Sequence, residues 1–236
     1  MLCPKEVIGR TKILFGDYGD GAYVLLDDLE NIKIAYSFGI SNIISFDKAL
    51  ADKGIDVYMY DHTINKLKFE NPKFHWKKLG VTSEYKKKYN MKTLNELLIE
   101  NGHEKENNMI LKIDIEGSEW DVLSEISEET LNQFKYILIE LHFKDINKYQ
   151  LYYNNIKKLV KNHQAYHIHC SNCGGVFEIG NNPICIGIEI CLIQKEKYKF
   201  RKDNSIYPIK GFDFLTCPHL PYLNKEQNIL KYCNNN

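Results

Sequence analysis

Apolar residues in this chain fall into short runs that stop at glycines, and helical spacing takes over between the runs. Residues 32–38 predict a first strand that ends at Gly39. Residues 42–52 predict a helix with Ile43, Ile44, Phe46, Ala49 and Leu50 on one face and Gly54 as its stop. Residues 56–61 predict a second strand and residues 73–77 a weaker third. Residues 93–101 predict a helix with Thr93 as N-cap and Gly102 at its end. A fourth strand spans 109–115, and the Ser118-Glu-Trp-Asp121 spacing predicts a capped helix after it. Residues 135–142 predict a fifth strand, and 147–163 a long amphipathic helix with Leu151, Ile156, Leu159 and Val160 inward. Residues 165–169 and 187–193 predict two last strands able to pair as an antiparallel edge. Ahead of all this, the Gly16–Gly21 cluster and residues 22–26 predict a hairpin or loop. The alternation predicts an α/β fold with a mainly parallel sheet covered on both faces.

Three regions are expected: an N-terminal element (1–31), a catalytic domain (32–194) and an irregular extension (195–236). The extension carries Pro208, Pro218 and Pro221, and the mouth of the domain is one place it can lie. The tail Cys233–Asn236 reads as frayed.

Composition narrows the picture. The 236 residues are 44% hydrophobic and 26% charged, as in ordinary globular proteins. Lys plus Arg and Asp plus Glu number 31 each, which argues against a broad nucleic-acid or membrane footprint. Lys86–Lys88 reads as a solvated helix end. No apolar stretch approaches the ~20 residues of a membrane span, and the first residues lack the pattern of a secretory signal. Seven scattered cysteines predict reduced thiols in a cytoplasmic protein. Cys170-x-x-Cys173 is a lone pair, and a zinc ion would also need Cys185 or Cys191, so packed thiols are the favoured reading.

The candidate chemistry centres on residues 111–123. Asp114 and Glu116 alternate with isoleucines, so both acids share one face near the end of the fourth strand. Ligands of open α/β sheets sit beyond that end, where the chain reverses direction across the sheet. The turn Phe38-Gly-Ile-Ser-Asn42 belongs at the same place, and Asp61 follows about 20 residues on, where an acid can accept from ribose hydroxyls. A dinucleotide calls for Gly-x-Gly-x-x-Gly, and here Ser41 and Ile44 stand at the later glycine positions. A phosphate-free adenosine ligand such as S-adenosylmethionine tolerates a lone Gly39; a bare strand-to-helix turn with Asp61 as a loop cap is the alternative.

The stretch Asp114-Ile-Glu-Gly-Ser-Glu-Trp120 resembles the FkbM-like family of S-adenosylmethionine-dependent methyltransferases. Arg10 with Gly19-Asp-Gly-Ala-Tyr-Val24, Tyr36-Ser-Phe-Gly-Ile-Ser41, Ile139-Glu-Leu-His142, His167-Ile-His-Cys-Ser-Asn172 and Pro183 with Ile188-Glu189 add to the resemblance in order, over residues 9–194. Ala22, Cys170 and Ser171 depart from the family pattern. The resemblance implies a Rossmann-like class I methyltransferase fold with a seven-stranded sheet. It also implies methyl transfer to an oxygen, with a sugar hydroxyl, free or nucleotide-linked, as acceptor, in capsule or other surface polysaccharide biosynthesis.

An alcohol is a weak nucleophile at neutral pH, so a general base or a metal is expected. Glu140 and His142 point to one side at the end of the fifth strand, next to Asp114. His142 is the first candidate base. Alternatively Asp114, Glu140 and His142 hold a divalent cation. Gly39, Ser41, Asp61, Asp114 and Glu116 form the expected cofactor set. His169 and Asn172 are assigned to the acceptor pocket by resemblance, and Asp20 and Tyr23 to an N-terminal element that closes over it. Trp76 can stack on an adenine, with core packing the more common use of such a residue; Trp120 is expected in the core. A nicotinamide-dependent oxidoreductase and a non-catalytic carbohydrate- or zinc-binding module are the rival functions. A small-molecule substrate is expected, with self-association left open.

Overall fold

The computed structural model describes residues 1–179 and 182–221. Seven strands form the central sheet: β1 (Ile34–Phe38), β2 (Asp56–Tyr60), β3 (Phe74–Lys77), β4 (Met109–Ile113), β5 (Phe134–His142), β6 (His163–Cys170) and β7 (Gly187–Gln194). Their order is β6-β7-β5-β4-β1-β2-β3. The strands from β5 to β3 run parallel, and β7 is antiparallel to both β5 and β6. The mostly parallel Rossmann-like sheet with an antiparallel edge is therefore present. β4 and β5 are buried along their whole length, which is why they read as mainly apolar runs.

The two faces are covered differently. Helix α1 (Ser45–Asp52) packs on one face beside a hairpin of Lys12–Phe15 and Tyr23–Leu26, burying Leu25, Phe46, Leu50, Ile110 and Leu138. Helices α2 (Leu94–Glu100), α3 (Glu119–Glu125), α4 (Glu128–Asn132) and α5 (Tyr149–Asn162) are strung along the chain around β4, β5 and β6. The second core joins Leu97, Trp120, Leu131 and Leu159 of these helices to Leu111, Ile113 and Ile139 of the sheet. Trp120 packs at a tilt against Tyr152 and Phe143, as expected of a core residue. Trp76 packs at the edge of the first core.

Several boundaries move for local reasons. Helix α1 starts three residues later than its apolar spacing suggests, because Gly39 (φ 71°) and Ser41 (φ 48°) bend the chain through the left-handed region first. Thr93 caps α2 as expected, in a reciprocal capping box with Glu96. Ser118 does not cap α3: it is already helical and its side chain makes no cap bond. Glu119 takes the loop N–H groups of Ile115 and Gly117 instead. Helix α4 has only five residues, too few for periodicity to reveal. Lys86 and Lys87 flank a short 3-10 turn and pair with Asp121 and Glu96, so the cationic run is not simply solvated.

The C-terminal residues cross the molecule. Phe200–Lys202 pairs with Lys5–Val7, and the Tyr198 hydroxyl reaches Asp28. Cys173 and Cys217 form a disulfide. This corrects the expectation of reduced thiols, removes their support for a cytoplasmic location, and takes Cys173 out of any zinc site. The expected frayed tail lies outside the described residues. Among the described residues no helix is long and apolar enough to cross a membrane.

Candidate active site

The carboxyl ends of β1, β2, β4 and β5 open onto a cavity of about 590 Å³. Its floor depends on Gly39. A Cβ there would lie 1.6 Å from the carbonyl oxygen of Asp114, so only glycine lets the ends of β1 and β4 touch. Phe38 O accepts from Asp114 N–H at 3.1 Å, and Gly39 N–H donates to Tyr60 O at 3.0 Å. Ser41 N–H then donates to Asp61 Oδ2 at 2.8 Å, and Asp61 Oδ1 accepts from the N–H and hydroxyl of Thr63 at 2.7 and 2.6 Å. Burial opposes ionisation of Asp61, but these bonds prevail and hold its carboxyl below the usual range. Asp61 is thus a loop cap that also lines the cavity. A carboxylate offers roughly four acceptor sites, so one remains for a ligand.

Lys112 lies beneath this bend, 5% exposed. Its Nζ donates to Gly39 O at 2.5 Å and Phe38 O at 3.3 Å, and stands 3.6 Å from Asp114 Oδ2. The strand pattern hides it, because a lysine alternating with Leu111 and Ile113 reads as an outward-facing residue.

Across the cavity, His142 ends β5 beside three carboxylates. Its Nδ1 is 3.1 Å from Glu119 Oε1, and its Nε2 is 3.6 Å from both Glu116 Oε2 and Glu140 Oε1. Burial alone would lower the His142 pKa, but the Glu119 hydrogen bond and the charges of Glu119, Glu140 and Glu116 raise it to about 9. Glu140 is pushed well above the ordinary carboxyl range, first by burial and then by the charge of Asp114. Glu189 sits directly opposite Glu140 on β7 and is raised in the same direction, by burial and then by Glu140. Glu116 is exposed, adopts φ 57°, and is held by Lys144 Nζ through its carbonyl at 2.8 Å and its carboxylate at 3.2 Å.

The cavity is also lined by Asp20, Ser171, Cys173, Gly174, Gly187 and Thr216. Burial, then the charge of Asp114, raises the Asp20 pKa. Three residues expected here lie elsewhere. Tyr23 is 3% exposed and packs edge-on against Phe46. Asn172 turns its amide to the C-terminal segment, donating to Cys217 O (2.8 Å) and Leu220 O (3.0 Å) and accepting from Cys217 N–H (2.9 Å). His169 stands 3.6 Å from Asp213, whose Oδ1 is 2.8 Å from His167 Nε2. None of the three lines this cavity. The partners of Asn172 and His169 come from the extension, and that of Tyr23 from α1.

The sequence model of the methyltransferase FkbM domain matches residues 28–177. The chain belongs to the FkbM methyltransferase family. No curated protein matches it. Among solved structures, a putative hemolysin from Streptococcus thermophilus is 11% identical with a TM-score of 0.41, over 75% of this chain and 72% of that one. That likeness is too low to bear on fold or function.

In this FkbM methyltransferase, Asp20, Gly39, Ser41, Asp61, Asp114, Glu116, Glu140 and His142 all line one cavity. The expected metal set of Asp114, Glu140 and His142 is rearranged. It is Glu119 that joins Asp114 and His142, with ligand-capable atoms within 4.8 Å of one another. Oε1 of Glu119 already accepts from two backbone N–H groups besides facing His142. Lys112 stands beside Asp114 and Lys144 beside Glu116. Asp114, Glu116 and Oε1 of Glu119 therefore have their own cations or donors, a poor fit to a bound divalent ion, while Oε2 of Glu119 is buried with no hydrogen-bond partner. The residues that escaped sequence reading are Lys112, Glu119, Ser171 and Thr216. Glu119 carried a signal, as the last acid of the Asp-Ile-Glu-Gly-Ser-Glu run.

Proposed function

We propose that this methyltransferase uses S-adenosylmethionine to methylate a sugar hydroxyl, with residues 32–194 as the catalytic domain between an N-terminal element (1–31) and a C-terminal extension (195–236). The observation that carries the reading is the joining, in one cavity, of the lone-glycine bend and His142. The donors fit the cofactor. Asp61 retains an acceptor site for a ribose hydroxyl, and Asp114 and Glu116 offer carboxylates to a ligand with cationic groups. Among the described residues, Lys144 is the only lysine or arginine that lines the cavity, and Glu116 already holds it. A nicotinamide dinucleotide would bring its pyrophosphate to a rim of acids, which disfavours the oxidoreductase reading.

When bound, S-adenosylmethionine supplies a methyl on a sulfonium, whose positive charge also lowers the proton affinity of nearby imidazole and carboxyl groups. Asp20, Ser171 and Thr216 supply acceptors and hydroxyls suited to vicinal sugar hydroxyls, free or nucleotide-linked. Holding the acceptor oxygen on the methyl–sulfur axis supplies much of the rate. His142 accepts the hydroxyl proton at Nε2, and the Glu119 and Glu140 carboxyl groups stabilise the imidazolium. The family resemblance supports a product that enters capsule or other surface polysaccharides.

The test is incubation with S-adenosylmethionine and a panel of free and nucleotide-linked sugars, with mass detection of one added methyl. Methylation of a sugar supports the reading. Cofactor turnover restricted to non-sugar acceptors would overturn the sugar assignment.

A further inference from the structure

Glu119 takes no direct part in that chemistry, yet it is 0% exposed and touches His142, which lines the cavity. Only one oxygen of this buried carboxylate is hydrogen-bonded, Oε2 being without a partner, so Oε1 carries all its contacts. Its Oε1 accepts from Ile115 N–H at 2.9 Å and Gly117 N–H at 3.0 Å, and faces His142 Nδ1 at 3.1 Å. The first two bonds shape the loop that carries Asp114 and Glu116. The third fixes the imidazole. In the neutral ring, when one nitrogen donates to a carboxylate, the other keeps its lone pair. That other nitrogen, Nε2, stands 3.6 Å from Glu116 and from Glu140, beyond hydrogen-bond length, on a residue that lines the cavity. The backbone of His142 is held from the same helix, because Trp120 Nε1–H donates to His142 O at 2.7 Å. Consecutive residues at the start of α3 thus clamp both ends of His142.

We propose that Glu119 is a positioning residue that holds His142 as the Nδ1–H tautomer and presents Nε2 to the acceptor hydroxyl. The inference rests on His142 being the base. It explains why the last acid of the signature run is buried while Glu116 is exposed: one orients, the other faces solvent. A purely structural Glu119 would serve the loop alone, and an amide would replace it without consequence for His142.

Glu119→Gln separates the two roles, because its amide oxygen can still accept from Ile115 and Gly117. The experiment uses protein carrying ¹⁵N-histidine, with His142→Gln to assign the ring signals. Wild type is expected to show the Nδ1–H tautomer once neutral. In Glu119→Gln the imidazole titration is expected to move down by about 1–3 pH units, the rising limb of the pH–rate profile to move with it, and plateau turnover to fall at least about tenfold. Cofactor affinity should stay unchanged. An Nε2–H tautomer in wild type, or an unmoved His142 titration in Glu119→Gln, would overturn the proposal. If the variant fails to fold, the wild-type tautomer alone decides. The spectroscopic result supports the assignment even without turnover, and in that event it is the functional reading that falls.

Discussion

At the scale of single residues, the proton on His142 governs the chemistry. Its pKa of about 9 leaves it charged at neutral pH in the ligand-free protein, so it must lose a proton before it can act as a base. Turnover should therefore climb with pH through the neutral range and level off on the alkaline side. A rate flat from about pH 6 to 9 would contradict the assignment. His142→Gln should lower turnover by roughly 10²-fold or more while sparing cofactor affinity. Glu140 makes a separate prediction about stability. Its folded-state pKa lies above the ordinary 4.5, so above that pH the unfolded chain gives up a proton that the folded protein retains. Stability consequently falls as pH rises from there. Glu140→Gln removes the effect and should stabilise the protein at neutral pH by at least about 1.4 kcal/mol, the value of one pH unit. The gain should vanish below about pH 4. Urea unfolding at the two pH values measures this directly, and equal midpoints for both proteins at neutral pH would refute it.

At the scale of elements, the turn after β1 is the most constrained. Gly39→Ala places a methyl 1.6 Å from Asp114 O and should cost several kcal/mol or prevent folding. Gly54→Ala is the matched control: it shares a positive φ (84°) but meets nothing within 4 Å, and should cost only roughly 1–2 kcal/mol. Similar losses in the two variants would show that the close approach of β1 and β4 is not what Gly39 serves. This turn and the β4 end were legible because glycine and acid positions leave marks in a strand pattern. The cap of α3 was not. Ser118 has the right spacing, but the loop N–H groups are satisfied by Glu119, a choice that depends on where His142 arrives from β5. Spacing within one segment cannot report a partner from another.

At the scale of the whole molecule, the sheet was readable because parallel strands buried on both faces give apolar runs of fixed length, and their alternation with helices leaves few topologies. What covers the sheet was less readable. The hairpin and the C-terminal segment take much of one face, held by Lys12 to Asp203 (3.5 Å), by the Asn172 amide and by the Cys173–Cys217 disulfide. A cysteine pair 44 residues apart has no local spacing to betray it. Cys217→Ser should lower stability by about 2–4 kcal/mol in non-reducing solution and match wild type under reduction. A variant equal to wild type without reductant would mean that the strap contributes nothing. The central claim is that this cavity takes a phosphate-free adenosine cofactor. Isothermal titration of the purified protein with S-adenosylhomocysteine and, separately, with NAD tests it most directly. Saturable one-site binding of S-adenosylhomocysteine with no heat from NAD is the result expected; saturable binding of NAD alone would contradict it.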